Sequence, residues 1–241
     1  MSLKTSNLPF KARVDREVHN EIMRKAVVKA QETIGTNRQK MVDELGHWEE
    51  WRDLSKQIRN HVLANLDAYL YQLSEKVTAN GGHVYFAETA EEATEYIRQV
   101  ALKKNAKKIV KSKSMVTEEI GLNGVLENEG MQVIETDLGE YLLQISGDKP
   151  SHIVVPAIHK DRHQIRKDLH EKLGYEGAET PEDMTRFVRE KIRQDFLEAD
   201  IGISGCNFAV AETGSVCLVT NEGNLRLATT LPKTHIAVMG M

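Results

Sequence analysis

A chain of 241 residues, 40% hydrophobic and 28% charged, is long enough to bury a core and too apolar to be disordered, so a folded globular protein is expected. Its formal net charge of -4 argues against general nucleic-acid binding, which needs an excess of basic residues, and no run reaches the roughly 20 apolar residues of a membrane span. The opening MSLKTSNLPFKARVDREV lacks the apolar core of a secretory leader, and the only two cysteines, Cys206 and Cys217, match no C-x-x-C pattern; both point to a cytoplasmic protein with reduced thiols.

Prolines stand only at positions 9, 150, 156, 181 and 232, so nothing covalent forbids long helices between residues 10 and 149. Val14, Val18, Ile22, Ala26 and Ala30 recur every four residues. Trp48, Trp51, Leu54, Ile58, Val62, Leu66, Leu70 and Leu73 recur at threes and fours, giving one apolar stripe on each of two helices. Trp48 and Trp51 read as packing residues or as part of a subunit interface. The first 80 residues are therefore expected to be a helical N-terminal extension, and residues 81–241 an α/β domain. In that domain Gly81-Gly82 ends a helix, HVYFA is a strand, and Thr89 with Glu92 forms a capping box for a helix to about Asn105. KKIVKS is the next strand, Ser114 caps a helix that Gly130 closes, and MQVIET and SHIVVPAI follow as strands. Asp161 caps a helix to about Leu173, and Thr180-Pro181 opens another that reaches Ala199. IGISG, FAVAE, SVCLVT and HIAVMGM complete the chain as strands. Alternating strands and helices of this length imply a layered, mostly parallel sheet with helices on both faces, and the late strands imply an antiparallel addition.

Open α/β sheets hold ligands at the C-terminal ends of their strands. Lys111, Ser112, Lys113 and Ser114 lie between a strand and a helix, where two ammonium groups, two hydroxyls and free backbone N–H groups suit an anion. Their other reading is a solvated basic patch with an ordinary serine cap, and no G-x-x-x-x-G-K-[ST] or G-x-G-x-x-G motif supports a phosphate. Asp137 and Glu140 follow the next strand, as an acid/base pair or as surface charge. His159 follows IVVPA and borders the same end; its i, i+4 relation to His163 does not make a metal site, because Asp161 as the cap leaves His159 outside the helix. No metal ligands are expected in this chain. Near residue 212, Asn207 is a turn residue, Gly214 takes a special backbone conformation, and Thr213 and Glu212 either fix the turn or bring Glu212 to face Lys111 and Lys113.

KIVKSKSMVTEEIGLN, ETDLGEYLLQI, PSHIVVPAIHKDRHQI, FLEADIGISGCNFAVAETGSVCLVTNEGN and LPKTHIAVMGM together resemble the lactate-utilization (LUD) domain family, and with GHWEEWRDLSKQIRNHVLANLDAYL in front they resemble its iron-sulfur subunit from a bacterial three-protein system. The resemblance covers nearly the whole chain. It implies a fold of the sugar-phosphate isomerase and coenzyme A transferase type, and a part in oxidising L-lactate to pyruvate with electrons passing through [4Fe-4S] clusters. It also implies the other subunits of that system as partners, with a small anionic ligand and self-association as further ones. Relatives of this type continue into a ferredoxin-like region of cysteine runs. A cluster needs about four thiolates, so clusters are expected only in such a C-terminal region and no cofactor in these 241 residues, which read as a truncated product or fragment. The AETG turn resembles, with one substitution, the Glu-Asn-Gly turn carrying the nucleophilic carboxylate of coenzyme A transferases, which makes Glu212 the candidate catalytic residue; the oxyanion-forming glycine segment of those enzymes is not evident. An anion-binding enzyme or sensor, or a pure assembly module, are the alternative expectations.

Overall fold

The computed structural model describes residues 8–148, 150, 155–220 and 222–241, and only the backbone of Ile22. The protein is α/β, 60% helical, and divides into two compact units: Met1–Arg24 with Phe86–Asn207 and Leu218–Met241, and Lys25–Tyr85 with Phe208–Cys217. No helix among the described residues is long and apolar enough to cross a membrane.

The first unit is built on β1 (Lys108–Lys111), β2 (Gln132–Glu135), β3 (Ile201–Ser204) and β6 (Thr234–Ala237), hydrogen-bonded in the order β2-β1-β3-β6 and all parallel. Because successive side chains of a strand point to opposite faces, each short apolar run feeds two cores. Ile109, Val133, Ile201 and Ile203 pack with Ile97 and Ala101 of α5 (Ala90–Lys103) and with Leu122 and Leu126 of α7 (Leu122–Asn128). Val110 and Ile134 face the other way, onto Tyr141 and Leu142 of α8 (Leu138–Ser146), Leu169 of α9 (Arg162–Leu173) and the stripe Met184, Val188, Ile192, Phe196 of α10 (Pro181–Glu198). The helix starts follow the expected chemistry. Thr89 Oγ1 accepts from Glu92 N at 3.2 Å, Asp161 makes a full capping box with Gln164, and Thr180 Oγ1 accepts from Asp183 N ahead of Pro181.

Several elements differ from the sequence reading. Among the described residues, 83–87 (HVYFA) do not form a strand; Val84, Tyr85 and Phe86 are exposed, and β composition without a face to bury does not make one. Of SHIVVPAI, residues 151–154 lie outside the described residues and 155–158 form a bend and turn at Pro156, which has no N–H to give a ladder. The helix after Ser114 breaks at Gly121, whose φ of 67° is left-handed, into α6 (Met115–Glu119) and α7. The sequence reading assigned no element to α8 or to α11 (Asn224–Thr230), which crosses over between β3 and β6 and makes β6 a parallel strand rather than an antiparallel one. Gly202 makes that crossover fit: a Cβ there would lie 1.7 Å from the Ala228 carbonyl oxygen of α11.

The first apolar stripe is shared by two helices, α1 (Phe10–Val18) and α2 (Glu21–Leu45), with Asn20 capping the second through Met23 N. The second stripe likewise runs over α3 (Trp48–Ala64) and α4 (Leu66–Ala79), interrupted at Asn65. In the helical unit the hairpin of β4 (Phe208–Val210) and β5 (Ser215–Cys217) is antiparallel, and its turn lies on α4. Gly214 has a φ of 70°, a Cβ on it would sit 2.7 Å from the Lys76 carbonyl carbon and the Val77 nitrogen, and Asn80 Nδ2 donates to Thr213 O at 3.0 Å.

Candidate functional site

The chain leaves β1 for β2 on one side and returns to β3 on the other, so the strand order reverses between β1 and β3, the position where open α/β sheets place their ligands. Ser112 N donates to Ile203 O across this gap at 2.9 Å. Beside it, the same two-residue period that points Ile109 and Val133 into a core points Lys111 and Glu135, partners in register at the strand ends, to the same face. Lys111 is fully enclosed. Its ammonium reaches Glu135 at 2.9 Å, Glu118 of α6 at 2.6 Å and Thr117 Oγ1 at 3.1 Å. Burial alone would drive its proton off, but the charges of Glu135 and Glu118 more than offset this and hold its pKa above the ordinary lysine value.

The carboxylate side is richer. Asn123 of α7 donates to Glu135 Oε1 at 2.6 Å, and Gln144 of α8 spans the edge, accepting from Glu135 N and donating to Val133 O. Glu140 comes in from the first turn of α8, with its carboxyl within hydrogen-bonding reach of Glu135. Burial first, and then the Glu135 charge, push its pKa up to about 8. On the sheet's other face Thr136 Oγ1 donates to Lys111 O at 3.0 Å and accepts from Asn224 Nδ2 at 3.3 Å, while the buried Ser112 Oγ meets no partner among the described residues. At the end of β3, Ser204 Oγ and His235 Nε2 are 2.8 Å apart, and burial lowers the His235 pKa.

Residues 70–241 match the family described as the LUD domain. The chain belongs to the LUD domain family. It is 76% identical, over its whole length, to the uncharacterized electron transport protein YkgF of Escherichia coli K12. It is 61% identical over 242 aligned positions to lactate utilization protein B of Bacillus pumilus SAFR-032, and 60% over 241 to that of Bacillus cereus B4264. In each case all of this chain is covered but 51% of the relative, so the chain spans about half the length of these curated relatives. No solved structure matches it.

Within the LUD domain the residues singled out from sequence fall into four places. Lys111, Ser112, Lys113, Ser114, Asp137 and Glu140 all gather in the α/β unit at the ends of β1 and β2. Lys111 is committed to two carboxylates there, so an anion would have to compete with both. Ser114 Oγ caps α6 through Thr117 N, and Asp137 Oδ1 caps α8 by accepting from Gly139 N and Glu140 N. His159 lies in the turn after Pro156, near Asp148 and Lys160, with its pKa lowered chiefly by burial. Asn207 Oδ1 accepts from Val219 N at 2.8 Å, fixing the chain where it leaves and re-enters the unit. Glu212, Thr213 and Gly214 belong to the helical unit: Glu212 is exposed on the hairpin turn, and Thr213 Oγ1 donates to Ser215 Oγ at 2.9 Å. Glu118, Asn123, Glu135, Thr136, Asn224 and His235 were not singled out. A charged residue closing each of two apolar strands, as in IVK and VIE, was the signal for the Lys111–Glu135 pair. Glu118 and Asn123 carry none, because they sit where the break at Gly121 turns the chain. Among the described residues no three His, Cys, Asp or Glu side chains converge to hold a metal ion.

Proposed function

We propose that this chain is the LUD portion of an iron-sulfur electron-transfer protein that takes part in the oxidation of L-lactate to pyruvate, acting in the cytoplasm with the other subunits of a lactate utilization system. The observation that carries this reading is the identity of about 60% along all 241 residues to proteins named lactate utilization protein B, supported by the 76% identity to one named an electron transport protein. These 241 residues do not fit a [4Fe-4S] cluster. Cys206 and Cys217 are the only thiols, they fall in different units, and such a cluster takes about four. The clusters are therefore assigned to the half of the relatives' length that this chain does not span. The loops after β1 and β2, with Lys113 and Asp137, are the surface offered to a small carboxylate ligand or to a partner subunit.

Anaerobic reconstitution of the product of the whole gene with iron and sulfide tests the proposal. A cluster absorption band that bleaches when L-lactate is added with the partner subunits is the expected result. A gene product that takes up no iron, or a gene deletion that leaves growth on L-lactate unchanged, would overturn it.

A further inference from the structure

Three carboxyl groups and one ammonium meet at the ends of β1 and β2. Glu118 keeps part of its side chain in water, but Glu135 and Glu140 are enclosed, and the Oε2 of each lies buried with no donor among the described residues. Two ionised carboxylates in that position would repel one another and leave two desolvated oxygens, a combination that a single lysine shared with Glu118 does not offset. One proton resolves both problems. Placed on one carboxyl it removes a charge and turns that oxygen into a donor for its neighbour. We propose that Glu135 and Glu140 share one proton, seated mainly on Glu140, and that the pair is a proton-exchange site at the C-terminal end of the sheet, releasing and recovering that proton while Lys111 stays charged.

The charged groups around Glu140 agree on the direction. Glu135 on β2 and Asp137 at the cap of α8 favour the protonated form, and Lys111 on β1 opposes them. From α6, Glu118 acts on Glu135 in the same sense as burial. On the other side of α8 the contact with α9 is made through Leu169, and Asp168 of α9 is spent on Lys160 at 2.6 Å. The position matters for function because reacting groups of open α/β sheets collect at this end, and an acid that is still protonated at neutral pH is the form able to give a proton to a bound oxygen.

The test is a pH titration of the full chain with ¹³C-labelled glutamate side chains, followed by carboxyl NMR, together with thermal unfolding from about pH 5 to about pH 9. The folded pKa of Glu140 lies above its unfolded value, so its contribution to stability is fully present below the usual carboxylate range and is lost as pH rises through about 8. The expected results are one glutamate resonance that titrates near that value and a melting temperature that falls across the range. Both features vanish in Glu140→Gln, whose amide still donates toward Glu135. In Glu135→Gln, which serves should Glu140→Gln fail to fold, the Glu140 resonance titrates at lower pH because its charged neighbour is gone. Glutamates that all titrate in the ordinary range, or a neutral-range titration left unchanged by either substitution, would overturn the proposal.

Discussion

The α/β unit and the helical unit use the same sequence grammar with opposite results. In the first, apolar stripes on α5, α7, α8, α9 and α10 close against two faces of one sheet, and Ile109, Leu122, Leu126, Leu169, Ile201 and Ile203 lose all contact with solvent. In the second, α3 and α4 carry a stripe just as regular, yet neither helix buries a residue, and Trp51, Leu54 and Ile58 of that stripe remain exposed. A 3.6-residue period specifies which face of a helix is apolar, but a core requires a second surface to meet it, and a parallel sheet supplies two at once. The helical unit also holds a close contact of another kind, the hairpin backbone at Gly214 lying against the backbone of α4.

That contrast ranks the effects of mutation. The largest is expected at the buried ion cluster: Lys111→Met leaves Glu135 enclosed without its cation and should cost about 3–5 kcal/mol, read as a lower urea midpoint at unchanged slope. A loss below about 1 kcal/mol would mean that the cluster admits water and that the α/β unit is less closed than its burial implies. Gly214→Ala comes next. It puts a Cβ into the backbone of α4 at a left-handed position, for an expected loss of about 1–3 kcal/mol. Both tryptophans of the chain, Trp48 and Trp51, lie on α3, so their fluorescence follows the unit in which this substitution sits.

How much of this was legible depends on the range over which each signal acts. The caps at Thr89, Asp161 and Thr180 were readable because a side chain closing on an N–H three residues later is a local event. The parallel pairing of β1 with β2 and β3 was readable from alternation, since helices between these strands must return the chain. The helices α8 and α11 were not. Their starts, ETDLGE and NEGNLR, use the turn residues Asp, Gly and Asn, and what keeps them helical is a distant partner: Leu169 for α8 and the bare backbone at Gly202 for α11. HVYFA failed in the opposite way, having strand composition but exposed side chains and no buried face. At the site, Lys111 and Glu140 were named but their pairing was not, because it passes through Glu135, and only the strand register of β1 on β2 brings that residue beside both. The grouping of the hairpin with helices is similarly invisible from sequence, as Asn80 and Thr213 meet across 133 positions.

The smallest effect tests the comparison most directly, by making one chemical change in both regions. Leu126 is fully buried and Leu63 is 67% exposed. Leu126→Ala should cost about 2–5 kcal/mol, since it opens a cavity between α7 and the sheet that neighbouring strands cannot collapse to fill. Leu63→Ala removes the same atoms from a side chain already in water and should stay within about 0.5 kcal/mol. Paired urea titrations of the two variants read the difference. If Leu63→Ala instead costs as much as Leu126→Ala, the outer face of α3 is covered in solution. The surface of α3 formed by Trp48, Trp51 and Leu63 would then be one half of a core whose other half lies on a second molecule. A self-association partner would be exposed by a midpoint that rises with protein concentration, whereas a midpoint independent of concentration would leave the exposed stripe as the true state of the helical unit.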